Sequence, residues 1–422
     1  MKVMVVGQGG REHALCWKLA QSYRVEKIFC TPGNGGTAGT PKCKNYPLDS
    51  LEEQVQLAVD NEVDLAVIGP EGPLVMGIAD ILREAGIPTV GPGKSAAALE
   101  GSKAFAKDFM MRYGVKTSDY RRFHKSQLQE ALQYLEAIEY PVVVKADGLA
   151  AGKGVTVHKT KAEAHAQLHA LFVDEVLGES GHIVLVEKFI WGREVSVIVL
   201  LDGTQVLPLI SAMDYKRIGE NDTGLNTGGM GAISPNPFYT EMYRKKFEEW
   251  ILNPTIKGLQ SENIDYRGVL YFGLMMTEED VYLLEYNVRF GDPETQAIIP
   301  MLEEDLAPLL HDLALGQLHE APLRCYDGAA CSVVVASRGY PGEYRSGIPI
   351  QIDLPIAASI FVAGAQERDE ESGARRLYTS GGRVLSVTGV DRDLTSACRQ
   401  AYTALENIYF EGRYYRRDIG KV

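Results

Sequence analysis

The sequence predicts a mixed α/β and α+β protein: an N-terminal doubly wound parallel sheet, a strand-rich middle, and a C-terminal mixed α/β block. Three observations carry this. From Lys2 to about Ser102, short apolar strands alternate with glycine turns and amphipathic helices. From Lys103 to about Pro322, strongly β runs follow one another without regular βαβ spacing. From about Arg324, two strands and one amphipathic helix close the chain. A length of 422 residues fits this division into 1–102, 103–322 and 323–422, since domains average about 150 residues.

In the first block the strands are Lys2–Val6, Glu26–Cys30, Asp64–Ile68 and Thr89–Val90, with helices starting near Arg11, Ser50 and Met76. Strand–helix alternation of this kind builds a parallel sheet that binds ligands beyond the carboxyl ends of its strands. Three glycine turns fall there: Gly7 to Arg11, Thr31 to Gly36 and Gly69 to Pro73. The middle block offers strands Tyr140–Lys145, Ile183–Glu187, Glu194–Leu201, Gly268–Gly273 and Val281–Glu285. The last block has strands Cys331–Ser337 and Arg383–Thr388 and a helix near Asp393 to Glu406, with Leu394, Ala397, Ala401 and Leu405 on one face.

Composition excludes several functions. The 43 Lys and Arg against 56 Asp and Glu give a net charge of −13, so neither nucleic acid nor an anionic membrane is attracted to the surface as a whole. An anionic substrate must be held by a few local cations and backbone N–H groups. The six cysteines include no Cys-x-x-Cys pair and make no disulfide framework, which points to a reducing cytoplasm. The apolar run at Met1 to Gly7 is too short for a signal peptide, and no stretch reaches the roughly 18 apolar residues of a membrane span.

Chemistry concentrates in four places. The first turn, Gly7-Gln-Gly9-Gly10-Arg11-Glu12, leaves a strand and opens a helix, which favours an anion, and Arg11 adds a charge-assisted partner. It is a poor dinucleotide fingerprint, because Glu12 replaces the third glycine and the second strand lacks a ribose-binding acid. That weakens a nicotinamide-dependent oxidoreductase as an alternative.

In the second place, Lys145 ends a buried strand and is followed by the small-residue loop Gly148-Leu-Ala-Ala-Gly152-Lys153-Gly154. Three residues between the glycines, and Gly154 in the last place, exclude a P-loop. A flap closing over phosphates remains. Third, Glu285, Asn287 and Arg289 alternate along one predicted strand face; two oxygen ligands suit a hard cation, and the guanidinium suits a transferring phosphoryl group. Fourth, Asp214 to Arg217 and Asp222 to Gly231 read as a substrate loop. His165 and His169 are spaced for one helix face but lack the zinc-protease glutamate, so a solvated surface is expected.

Assembled, the chain resembles the glycinamide ribonucleotide synthetase (phosphoribosylamine–glycine ligase) family of ATP-grasp enzymes from end to end. The likeness rests, in order, on Gly9 to Leu15, Pro32 to Asn34, Gly69 to Glu71, Leu99 to Phe105, Lys145 to Gly154, Asn226 to Gly231 and Asn287 to Glu294. The resemblance implies an N-terminal Rossmann-like domain, an ATP-grasp core with a small lid at about residues 120–187, and a C-terminal domain. It implies joining of glycine to 5-phosphoribosylamine through a glycyl phosphate, with ATP as co-substrate and Mg²⁺ or Mn²⁺ as the metal, in a monomer or weak homo-oligomer. Carried across by position, Lys103 and Lys145 contact ATP phosphates beneath a flap containing Gly148, Gly152, Lys153 and Gly154. The segment Glu187, Lys188, Phe189 and Ile190 holds adenine, and Glu194 the ribose. Glu285 and Asn287 bind metal, with Lys145 and Arg289 as catalytic residues. Gly9, Gly10, Arg11, Glu71, Asp214 and Arg289 face the sugar phosphate and glycine. Another ATP-grasp ligase with a different acceptor is the nearest alternative.

Overall fold

The computed structural model describes residues 1–149, 154–370 and 375–422. The first sheet contains β1 (Lys2–Gly7), β2 (Lys27–Pro32), β3 (Cys43–Asn45), β4 (Leu65–Ile68) and β5 (Thr89–Val90), all parallel, in the order β3-β2-β1-β4-β5. Its central strands are unbroken apolar runs because helices cover both faces. The order reverses beside β1, so the turns after β1 and β4 open into one crevice, as doubly wound sheets require of a ligand site.

Two details depart from the sequence expectation. Strand β3 went unrecognised, since three residues at a sheet edge carry no apolar period. The helix expected near Met76 begins at Glu71, runs to Met76, breaks at Gly77 (φ 98°) and resumes over Ile78–Glu84. Pro73 does not prevent the early start, because first-turn N–H groups have no helical partner to lose.

A second, four-stranded antiparallel sheet, β6 (Tyr120–His124), β7 (Val142–Ala146), β8 (Val155–His158) and β9 (Ile183–Lys188), runs in the order β6-β9-β7-β8. Helices Leu128–Ala137 and Lys161–Phe172 pack on it around a core of their own that includes Phe123, Leu135, Val144, Leu168 and Val186. Thr160 and Glu163 start the second helix with a reciprocal capping box. His165 is half-buried beside Glu136 and His169 is exposed.

A third sheet places β10 (Arg193–Leu201) between β11 (Val206–Pro208) and the strand Gly268–Met276, which pairs in turn with Val281–Asn287. The fourth draws on both sides of residue 322: strands Met213–Asp214, Gly231–Ser234, Ala329–Ser337, Arg383–Asp391 and Ser359–Val362 lie in that order. Helix Leu394–Leu405, capped by Asp393, buries Ala397, Ala401 and Leu405 against it. This C-terminal layer docks on the first helix: the backbone N–H of Val362 donates to His13 Nδ1 (2.8 Å), and Asn34 Nδ2 donates to the Val362 carbonyl (2.8 Å). Among the described residues no helix is long and apolar enough to cross a membrane.

Candidate active site

A cavity of about 890 Å³ opens where the four sheets meet. At one end stand three lysines and one carboxylate. Helix Lys103–Tyr113, capped by Ser102, presents Lys103 and Lys107 one turn apart. Lys103 Nζ donates to the Gly148 carbonyl (3.1 Å). Lys145, near the end of β7, reaches across to β9, where its Nζ lies 3.0 Å from Glu187 Oε1. Lys107 Nζ lies 3.1 Å from Glu187 Oε2 and donates to Thr117 and Ser118, while Ser118 Oγ donates to Glu187 (2.7 Å). Burial alone would raise the Glu187 carboxyl, but Lys145 and Lys107 outweigh it and hold the group ionised. Burial also lowers the Lys103 ammonium, and neighbouring Lys145 adds to the fall.

The opposite end is rich in carboxylates. In the pair formed by Gly268–Met276 and Val281–Asn287, Glu285 faces Gly273 and Asn287 faces Tyr271. A Cβ on Gly273 would stand 3.2 Å from Glu285 Cγ, so the glycine leaves room for the carboxylate to sit over the sheet. Arg289 lies beyond the strand end rather than on its face. Carboxylates draw it to the same place: its Nη2 is 2.8 Å from Glu100 Oε1 and its Nε 3.1 Å from Glu71 Oε2, and Nη2 also donates to Asn287 Oδ1 (3.3 Å). Burial works against the Arg289 charge, yet Glu100 and Glu71 more than compensate and raise its pKa. Glu285 likewise stays ionised against burial because Lys216, Lys145, Lys103 and Arg289 surround it.

Asp214 closes this end. Its Oδ1 is buried without a hydrogen-bond partner among the described residues. Burial, then the nearby Glu294, drives its pKa well above the carboxylate range. Gly229 (φ 107°) passes so close that a Cβ there would lie 2.7 Å from that oxygen. Glu294 accepts from Tyr271 Oη (2.7 Å) and Ser196 Oγ (3.0 Å), and Lys216 pairs with Glu194 (2.6 Å).

The first glycine turn is not the open amide cradle that its sequence suggested. Glu12 folds back over it, accepting from the Gly9 N–H (2.5 Å) and pairing with Arg11. Its carboxylate fills the space beside Gly7, Gly9 and Gly69; a Cβ on Gly69 would meet Glu12 Oε1 at 1.9 Å. A dinucleotide pyrophosphate would need that volume. The residue that broke the fingerprint therefore also obstructs its ligand.

Of the residues selected from sequence, Gly9, Arg11, Glu71, Lys103, Lys145, Gly154, Glu187, Asp214, Glu285, Asn287 and Arg289 line the cavity. Gly10, Gly148, Lys188, Phe189, Ile190 and Glu194 do not. Gly10 packs against Gln296, Gly148 against Ser180, Phe189 edge-on to Trp191 (4.8 Å), and Lys188 is exposed. Gly152 and Lys153 lie outside the described residues. Sequence reasoning did not single out Lys107, Glu100, Glu294 and Lys216, although the last three stand inside motifs it named; all four line the cavity. A signal was present for the first: Lys107 follows Lys103 by one helical turn.

Two antiparallel sheets clasping one cavity, with lysines from one side and a carboxylate–amide strand from the other, define an ATP-grasp enzyme. Family models for the phosphoribosylglycinamide synthetase N domain, ATP-grasp (A) domain and C domain match residues 1–100, 101–295 and 330–422. The chain belongs to this family of ligases. It is 47% identical over 421 residues to a phosphoribosylamine–glycine ligase of Clostridium acetobutylicum, covering 100% of each chain. Against the Escherichia coli O157:H7 ligase it is 43% identical over 427 residues, covering 100% of this chain and 98% of the other. The crystal structure of the Thermotoga maritima phosphoribosylamine–glycine ligase superposes with a TM-score of 0.87 at 36% identity, over 99% of this chain and 100% of that one. The biotin carboxylase domain of Hydrogenobacter thermophilus 2-oxoglutarate carboxylase, at 18% identity and TM-score 0.73 over 98% and 91% of the two chains, shares the fold.

Proposed function

We propose that this chain condenses glycine with 5-phosphoribosylamine at the expense of ATP, yielding glycinamide ribonucleotide, ADP and phosphate in purine biosynthesis. The supporting observation is the polarity of one cavity, with lysines at one end and carboxylates facing a buried guanidinium at the other, in a chain that matches the family along its length. A glycine carboxylate oxygen attacks the γ-phosphorus and ADP leaves. The amine nitrogen of phosphoribosylamine then attacks the carbonyl carbon of the glycyl phosphate, and phosphate departs with the nitrogen shedding its proton.

Lys103 and Lys145 hold the nucleotide phosphates, and the segment 187–190 takes the adenine, with Glu194 on the ribose. Arg289, kept charged by Glu71 and Glu100, meets negative charge as it develops on the transferring group. Glu285 and Asn287 offer ionised carboxylate and amide oxygens, a hard donor set that would hold Mg²⁺ or Mn²⁺. Such an ion would neutralise phosphate charge. Gly9, Arg11, Glu71 and Asp214 face the sugar phosphate and glycine. The enzyme works in the cytoplasm as a monomer or weak homo-oligomer, on small molecules rather than nucleic acid or membranes.

The test is ADP release with phosphoribosylamine generated in situ, omitting each component in turn. Full turnover is expected only with ATP, metal, glycine and the amine together. ADP release that ignores glycine, or prefers another acid or amine, would overturn the assignment.

A further inference from the structure

Away from the catalytic cavity, three of the six cysteines meet. Cys16 comes from helix Gly10–Gln21, Cys30 from β2 and Cys43 from the edge strand β3. Their sulfurs all lie within 4.8 Å of one another, and Cys16 Sγ stands 3.6 Å from Cys30 Sγ. None of the three lines the cavity. The sequence showed no Cys-x-x-Cys spacing; the sheet and its covering helix create the cluster.

Isolated buried cysteines behave as small apolar residues, but three converging sulfurs have a more specific chemistry. Three thiolates around one ion at a Zn–S distance of about 2.3 Å sit about 4 Å apart. The observed separations need only small side-chain adjustments to reach that geometry. Cys16 and Cys30 are sealed in the core, whereas Cys43 is half-buried and provides a way in. Thiolate ligands without carboxylate or imidazole select soft ions over Mg²⁺, which keeps this locus chemically distinct from Glu285 and Asn287.

The geometry points to a three-thiolate site for one thiophilic d¹⁰ cation, Zn²⁺ or Cu⁺, held by Cys16, Cys30 and Cys43. Binding releases one proton per thiol to solvent, so affinity rises with pH. Bound there, the ion ties the edge strand β3 to the first helix and to β2, whose last residues Thr31 and Pro32 lie on the cavity wall.

The full-length protein, reduced and stripped of metal, is titrated with Zn²⁺ against a chromophoric chelator and, anaerobically, with Cu⁺ against a copper(I) chelator. One ion per chain is expected, with a thiolate-to-metal charge-transfer band in the copper arm. Cys43→Ser should weaken binding by about tenfold or more, since even outer-shell changes cost that much, and Cys398→Ser should leave it unchanged. The half-buried position of Cys43 favours a folded variant, and circular dichroism checks this; Cys16→Ala supplies a second ligand deletion. A rise in the melting temperature of the parent protein with the ion, absent in Cys43→Ser, is a separate readout. Equal affinity in the parent and Cys43→Ser, or no saturable binding of either ion by the parent, overturns the site.

Discussion

The two ends of the catalytic cavity are both charged and both buried, yet they are built on opposite plans. At the Lys103–Lys145 end, Lys107 and Lys145 share Glu187 while Lys103 donates to the Gly148 carbonyl. Glu285 is a further carboxylate acting on both Lys103 and Lys145, so among the described lining residues there lysines outnumber carboxylates. At the Arg289 end, Glu71 and Glu100 both pair with the one guanidinium, and Glu294 lies near the buried Asp214, so carboxylates outnumber the cations they touch. Buried charge without a partner is costly. The lysine end is thus suited to a polyanion and the acidic end to cations, whether a metal or a substrate amine. A single cavity sorts its ligands by leaving each end incomplete in a different sense.

The sharpest way to break this contrast is Glu187→Gln, which removes the only lining carboxylate shared by Lys107 and Lys145. Lys107 then stays buried without its ion-pair partner, and Lys145 keeps only the nearby Glu285 as a counter-charge. The expected loss is about 3–5 kcal/mol of unfolding free energy, read by urea denaturation and partly recovered by adding MgATP; an unchanged midpoint would mean that the lysines are neutral or hydrated. At the other end, Arg289→Ala should lower turnover by about 10²–10³-fold while ATP affinity changes far less, because the guanidinium acts mainly as charge develops. Equal losses in kcat and in ATP binding would assign it to holding the nucleotide instead.

A third test uses the seam between the first helix and the C-terminal layer, which holds its histidine neutral. Burial pulls His13 down from the ordinary 6.5 to about 4. Below pH 6.5 the unfolded chain binds a proton there that the folded chain does not, so stability falls as pH drops toward 4 and levels off beneath it. The full loss is about 3 kcal/mol. Comparing urea midpoints at pH 7 and 4.5 should show a smaller difference in His13→Gln than in the parent protein; identical slopes would place the titration elsewhere. The smallest effect expected is at the proposed metal ligand: Glu285→Ala should raise the Mg²⁺ concentration for half-maximal activity by about 10–100-fold, and an unchanged metal titration would remove Glu285 from the site.

Legibility followed the physics of each element. Strands such as Gly268–Met276 were readable because uninterrupted burial imposes an unbroken apolar run. The edge strand Cys43–Asn45 was not, because its burial is partial and it is only three residues long. The paired oxygens of Glu285 and Asn287 followed from the two-residue period of a strand, whereas Arg289 stands past the strand end and owes its position to Glu71 and Glu100, far away in the chain. Glu12 shows the reverse relation: its identity argued against a dinucleotide, and only its folded rotamer revealed why.

By itself the sequence determined the alternation of strand and helix, the charge balance and the ordered motifs, since these depend on local periodicity and residue type. Tertiary structure alone decided which charges meet. The sharing of Glu187 by Lys107 and Lys145, the clamp on Arg289 and the three converging thiols all join residues that are not neighbours in the chain. Such contacts are set by how sheets pack, and no spacing along a single chain encodes them.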